Sequence, residues 1–274
     1  MGQGKKRKAS ILARSGGRCI YCGGQTAATT LDHMPPKSMF DGKLRPEGLE
    51  FPSCQPCNNG AGLTDAICAF IGRLYPDLET PEQHAEVKKY LSTISNNAPG
   101  LLESLLPSRA LQKRRQRELG LTDADGGFLQ IGGTTAEAHL EAFAVRLGLA
   151  MHFQETGEIV PETGKIIVRI YSNVDVLEGG LPSEIHEIFP EASTLSQGRW
   201  TVENQFQYGV QKTVGGKASM TYAAFRASFA LLAFVFMDGE TAEVPPGAKP
   251  FRPGEFTVRK TPSLRASAFW TSST

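Results

Sequence analysis

The chain has 274 residues, 40% hydrophobic and 21% charged, a globular composition with room for one large domain or two ordinary ones. A net charge of +1 excludes a polyanion-binding character spread over the whole surface. The balance is uneven, because residues 1–60 hold nine Lys/Arg against four Asp/Glu, a net of +5 that leaves −4 for the remainder.

The N-terminal stretch GQGKKRKASILARS places Lys5, Lys6, Arg7 and Lys8 in succession. No apolar run follows them, so the stretch does not read as a secretory signal, and a basic segment of this kind attracts phosphate. Five cysteines come next in order: Cys19, Cys22, Cys54, Cys57 and Cys68. Four of them form CIYC and CQPC, and two such knuckles suit one tetrahedral Zn²⁺ because each turns two thiolates toward a common centre. Four thiolates close the coordination sphere, so the expected zinc is structural. Cys68 lies in the apolar run AICAFIGRL and reads as a core residue.

The 31 residues between the knuckles contain TLDHMPPKSMF. Thr29 to Leu31 favour a strand, which puts Asp32 and His33 at its end. Pro35 and Pro36 bias the residues before them toward extended backbone, so the loop leaving His33 is expected to be stiff. Lys37 is a candidate phosphate contact. After the second knuckle come Asn58 and Asn59, and then a helical pattern. Its N-cap candidates are Thr64 and Asp65, and Ile67, Ala69, Phe70, Ile71 and Leu74 form its buried stripe.

Thr80 and Pro81 mark the start of another helix, on which His84 faces solvent. Residues 80–120 are predicted helical, and Arg109, Lys113, Arg114, Arg115 and Arg117 fall within about two and a half turns. That cluster is either a solvated face or a phosphate-binding one. TDADGGFLQIGGTT, residues 122–135, reads as a loop, and Ala136 to Met151 as an amphipathic helix. KIIVRIYS and FQYGVQ alternate as strands, with Phe206, Tyr208 and Val210 on one face. Thr221 to Met237 fits buried strands or a buried helix. Its most apolar part, the eleven residues Ala227 to Met237, is too short to span a bilayer. An irregular tail is predicted after Asp238. His139, His152 and His186 have no ligand spacing around them.

CxxC, a strand ending in DH, PPKS-x-F and then apolar-Pro-x-C-x-x-C-N, from about Arg18 to Leu74, resemble the zinc-knuckle members of the HNH endonucleases. The resemblance implies a ββα-metal fold in which His33 is the general base. It implies that Asp32 and Asn58 hold a catalytic Mg²⁺ or another divalent ion, and that Cys19, Cys22, Cys54 and Cys57 hold the structural Zn²⁺. The implied substrate is DNA, with RNA as the alternative, cleaved to 5′-phosphate and 3′-hydroxyl ends. Lys5, Lys6, Arg7, Lys8, Lys37, Arg114 and Arg115 are then the candidate DNA-binding residues.

One position departs from the family pattern. The middle Asn, whose side chain holds the loop that carries the His, falls at Gly48 in RPEGLEFPSC, and Asn59 or Glu47 are its candidate replacements. Weaker likenesses extend to RLGLAMHFQETGEIVP and to FQYGVQ followed by YAAFRASFALLAF.

The expected architecture is α+β: a nuclease module over 1–78, a basic helical segment and linker over 79–135, and an α+β region of unassigned role over 136–274. A cytoplasmic protein with no membrane partner is expected. The alternative is a non-catalytic zinc-knuckle nucleic-acid-binding protein that retains the fold, for which Gly48 argues. An RNase or toxin of the same fold is a third reading.

Overall fold

A computed structural model describes residues 3–74, 78–121, 127–177, 182–239, 242–246 and 248–256. The fold mixes α and β and is compatible with an α+β class. It opens with helix α1 (Gln3–Ala13), where the sequence suggested only a basic segment. The first cysteine knuckle follows, and then a two-stranded antiparallel sheet of β1 (Thr30–His33) and β2 (Glu50–Ser53), whose register sets His33 opposite Glu50. Helix α1 packs on both of these strands. The second knuckle runs directly into α2 (Gln55–Asn59), with Cys54 as its N-cap, and α3 (Gly62–Ile71) comes next.

Helix α3 begins at Gly62, so Thr64 and Asp65 lie inside its first turn and are not its caps. Both face inward to make polar contacts, which is the physical reason for the shift. Leu74 lies beyond the helix end and is exposed. Helix α4 (Pro81–Asn97) starts where predicted, with a reciprocal capping box between Thr80 and Gln83. Short α5 (Leu101–Ser104) and α6 (Arg109–Glu118) complete the helical segment.

The longest element is α7 (Thr135–Thr156), five residues past the predicted end. It is not amphipathic but buried on nearly all sides. One face lies on a five-stranded antiparallel sheet and another on α3. That sheet is built from β3 (Lys165–Ser172), β6 (Gln207–Lys212), β7 (Ala218–Phe225), β8 (Phe229–Phe236) and β9 (Pro250–Phe251), in the order β6-β7-β8-β3-β9. Between β3 and β6 lie α8 (Asn173–Leu177), α9 (Glu184–Ile188) and the small ribbon of β4 (Ser196–Gln197) and β5 (Trp200–Thr201).

The ambiguous run Thr221 to Met237 is therefore a strand hairpin, turning at Arg226 with φ 53°. The tail after Asp238 contributes β9, while residues 257–274, like 122–126 of the predicted loop, lie outside the described residues.

Gly148 allows the close seating of α7 on the sheet, since a Cβ there would come within 2.8 Å of the Ala233 side chain. Two residues earlier, Arg146 points roughly the opposite way, as a 100° step per residue requires. One apolar core runs from Cys19 to Phe256, so the three segments expected from sequence share it. Edge-on ring contacts knit them together, Phe40 to Phe206 at 6.3 Å and Tyr21 to Phe256 at 5.9 Å.

Candidate functional site

The two knuckles converge. The sulfurs of Cys19, Cys22, Cys54 and Cys57 all lie within 4.8 Å of one another. Four ligands about 2.3 Å from a tetrahedral centre would be separated by roughly 3.8 Å, so the set can hold a metal ion such as zinc. The first knuckle is shaped by backbone bonds from Gly24 N to Cys19 O and from Gln25 N to Cys22 O, and Ile20 N donates to Pro52 O, hooking it onto β2. A hydrogen bond from the Cys57 thiol, opposed by burial, lowers the Cys19 pKa below that of a free thiol.

His33 ends β1 and keeps its side chain 34% exposed. Its Nε2 lies 3.5 Å from Glu50 Oε1 across the strand pair, and Glu50 also receives Arg7 Nη2 at 3.1 Å. Arg7 reaches Glu47 as well, at 2.6 Å. Burial, with the positive charges of Arg45 and Lys37, lowers the His33 pKa against the opposing pull of Glu50. The imidazole is therefore neutral at neutral pH and able to accept a proton. Glu50 was not singled out in the sequence. Its role follows from the strand register, which only the pairing of β1 with β2 supplies.

Asp32 stands next to His33 in the chain but not in space, because successive strand residues point to opposite faces. Its side chain is 6% exposed and accepts a 2.8 Å hydrogen bond from Arg146 Nη2. Arg146 Nη1 meets Asp65 Oδ1 at 2.7 Å, and its guanidinium lies 5.8 Å from the Tyr21 ring centre. Burial, against the attraction of Arg146, raises Asp65 to about 6. Asn58, on α2, donates through Nδ2 to Thr30 Oγ1 and Leu31 O, which fastens α2 to β1.

A hydrated Mg²⁺ that takes a substrate phosphate needs an open carboxylate. Asp32 is closed, and a guanidinium already occupies its electrostatic partnership. In this arrangement Asp32 and Asn58 do not fit a shared divalent ion.

The loop that links β1 to β2 is held by a residue the sequence reading passed over. Arg45 donates from Nε to Pro35 O (2.8 Å), from Nη1 to Pro46 O (3.0 Å) and Gly48 O (2.9 Å), and from Nη2 to Leu49 O (3.3 Å). Burial lowers its pKa to about 10, so it stays charged at neutral pH. Gly48 itself has φ 111°, a backbone shape that disfavours any side chain. Asn59 is exposed, and Glu47, in the loop itself, pairs with Arg7 of α1.

Lys5, Lys6 and Lys8 are exposed on α1, and Lys37 is exposed just after the two prolines. Arg7 is committed to Glu47 and Glu50. On α6, Arg114 and Arg115 both bind Glu118, at 2.8 and 3.1 Å, pairs of the weak surface kind. His139 and His152 are buried against Thr64 and Ser219. Cys68 is fully buried, as expected of a core residue. No helix among the described residues is long and apolar enough to cross a membrane. Comparison with protein-family models, with curated proteins and with solved structures gave no match.

Proposed function

We propose that this chain is an HNH-type endonuclease that hydrolyses DNA phosphodiester bonds, with His33 as general base and a structural zinc on the four cysteines. The observation that carries the reading is His33 itself. It is a neutral, part-exposed imidazole at the end of an antiparallel strand pair that runs through a metal-competent knuckle into a helix. That order of elements supports the ββα-metal reading.

In the proposed reaction His33 takes the proton of a water whose oxygen attacks phosphorus. The bond from phosphorus to the 3′ oxygen breaks, and that oxygen takes a proton from solvent. The products are a 5′-phosphate and a 3′-hydroxyl. Lys37 offers charge to the phosphate at this face. Lys5, Lys6 and Lys8, on a helix packed against the same strands, are suited to the flanking backbone.

Incubation of supercoiled plasmid with the protein in Mg²⁺, in Mn²⁺ and in EDTA tests the reading. Nicking is expected, and His33→Ala should reduce it by about 10²–10⁴-fold. The enclosure of Asp32 by Arg146 favours a second reading, a nucleic-acid-binding module of the same fold without catalysis. Salt-sensitive DNA binding with no cleavage under any of the three conditions would select it.

A further inference from the structure

We propose that Arg45 is the positioning residue of the His33 site, a guanidinium clamp that takes over the loop-holding role absent at Gly48. The inference rests on the reading of His33 as the base. Four carbonyls converge on the one side chain, and they come from both flanks of His33. Pro35 lies two residues after His33 in the chain. Pro46, Gly48 and Leu49 lead into Glu50, the residue paired with His33 across the strands. Met34 N donates to Leu49 O at 3.1 Å, so the two flanks also meet through backbone immediately beside His33.

A planar fork with five N–H groups can satisfy several carbonyls in fixed directions, which a single ammonium cannot. An amide side chain could reach fewer of them, and at Gly48 no side chain is tolerated without strain. The guanidinium is itself fixed, 5.9 Å from the centre of the Phe40 ring, and Phe40 is fully buried. Arg45 thus ties the exit of β1 and the entrance of β2 to the core through one rigid group. The orientation of His33 toward Glu50 depends on both.

The test compares wild type, Arg45→Ala and Arg45→Lys. In plasmid cleavage, Arg45→Ala should lower kcat by about 10²-fold, the scale of a misplacement near 1 Å, with KM little changed. Added guanidinium should restore part of the loss. Arg45→Lys, the variant to use if the alanine form folds poorly, should fall between the two. Amide hydrogen exchange provides a readout independent of activity. Exchange at Met34 should accelerate in both variants, while that of α7 stays as in wild type. An unchanged kcat in folded Arg45→Ala would overturn the proposal, because a residue serving only stability would not alter turnover well below the melting temperature. Should wild type cleave nothing, the assignment of His33 fails. The clamp is then decided by exchange alone, and unaltered protection at Met34 would overturn it too.

Discussion

Replacement of Arg146 by alanine probes the least expected contact in the molecule. Arg146, Asp32 and Asp65 form a triad with side chains 1%, 6% and 19% exposed. Loss of the cation leaves two carboxylates enclosed with no counter-charge, and breaking a buried pair in this way costs about 3–5 kcal/mol. At roughly 2–4 °C per kcal/mol for a chain near this size, the melting temperature should drop by about 6–20 °C. The deficit should depend on pH in a definite sense. Asp65 already sits at about 6 in the folded chain, above the ordinary carboxylate range, chiefly through burial. A carboxyl raised on folding binds more protons in the native state, so its contribution is greatest below the unfolded pKa and is lost as pH rises through the folded one. Without Arg146 the Asp65 carboxyl loses the charge that opposes its rise, and the variant should recover at pH 5 relative to pH 8. Thermal melts followed by circular dichroism at the two pH values measure this. Arg146→Met combined with Asp32→Leu and Asp65→Leu should regain most of the loss, since apolar replacement of a whole buried ion cluster is often neutral. An Arg146→Ala protein that melts like wild type at both pH values would refute the reasoning, and would leave Asp32 open to the cation that the HNH resemblance assigns to it.

Metal analysis of the purified chain should find one zinc, and Cys57→Ser should lose both zinc and the fold of the knuckle, because binding energy at such a site is folding energy. Burial lowers His139 and His152 to about 4, so each is neutral in the folded chain while its unfolded form titrates near 6.5. The unfolded state binds the extra protons, and stability present above pH 6.5 should be lost as pH falls toward 4, by up to about 3 kcal/mol per histidine. Urea midpoints measured across that range should flatten in His139→Asn and in His152→Asn. Gly48→Asn places the residue that the HNH resemblance expects on a backbone with φ 111°, and should destabilise by about 1–3 kcal/mol in urea titration while leaving any cleavage no faster. Lys5→Gln, Lys6→Gln and Lys8→Gln together should weaken DNA binding across sequences and flatten its salt dependence, as read by fluorescence anisotropy.

What the sequence disclosed was local chemistry. Two CxxC pairs foretell a sulfur cluster because each knuckle needs only its own turn. Thr80 and Pro81 foretell a helix start, because a capping box is complete within four residues. The alternation of KIIVRIYS is visible because β3 has unlike faces. Hidden features depend on partners far along the chain. Helix α7 is covered on nearly all sides, so it carries no polar stripe to mark its period or its end. Arg146 meets Asp32 across 114 positions, and no pattern near either residue announces the pair. Helix α1 is exposed along most of its length, and its docking rests on Arg7 finding Glu47 and Glu50. The strands of Thr221 to Met237 are apolar enough to suit a helix, and the turn at Arg226 decides between them only in three dimensions.

The DH dipeptide shows how far a motif can be taken as one site. Read along the chain, Asp32 and His33 are a pair. Built into a strand, they are divided by the pleat, and each is claimed by a different part of the protein. Asp32 turns toward α7, where its ion pair joins that helix to β1. His33 turns outward, and the groups around it come from the opposing strand and the loop: Glu50 across the register, Arg45 and Lys37 as nearby charge. Asp32→Asn, which keeps the shape and the inward direction but weakens the attraction, separates the two roles. If Asp32 acts only as an anchor, the variant should lose melting temperature yet retain most cleavage in the folded fraction. If Asp32 binds a cation in the working enzyme, cleavage should collapse and partly return at high Mg²⁺, with little change in melting.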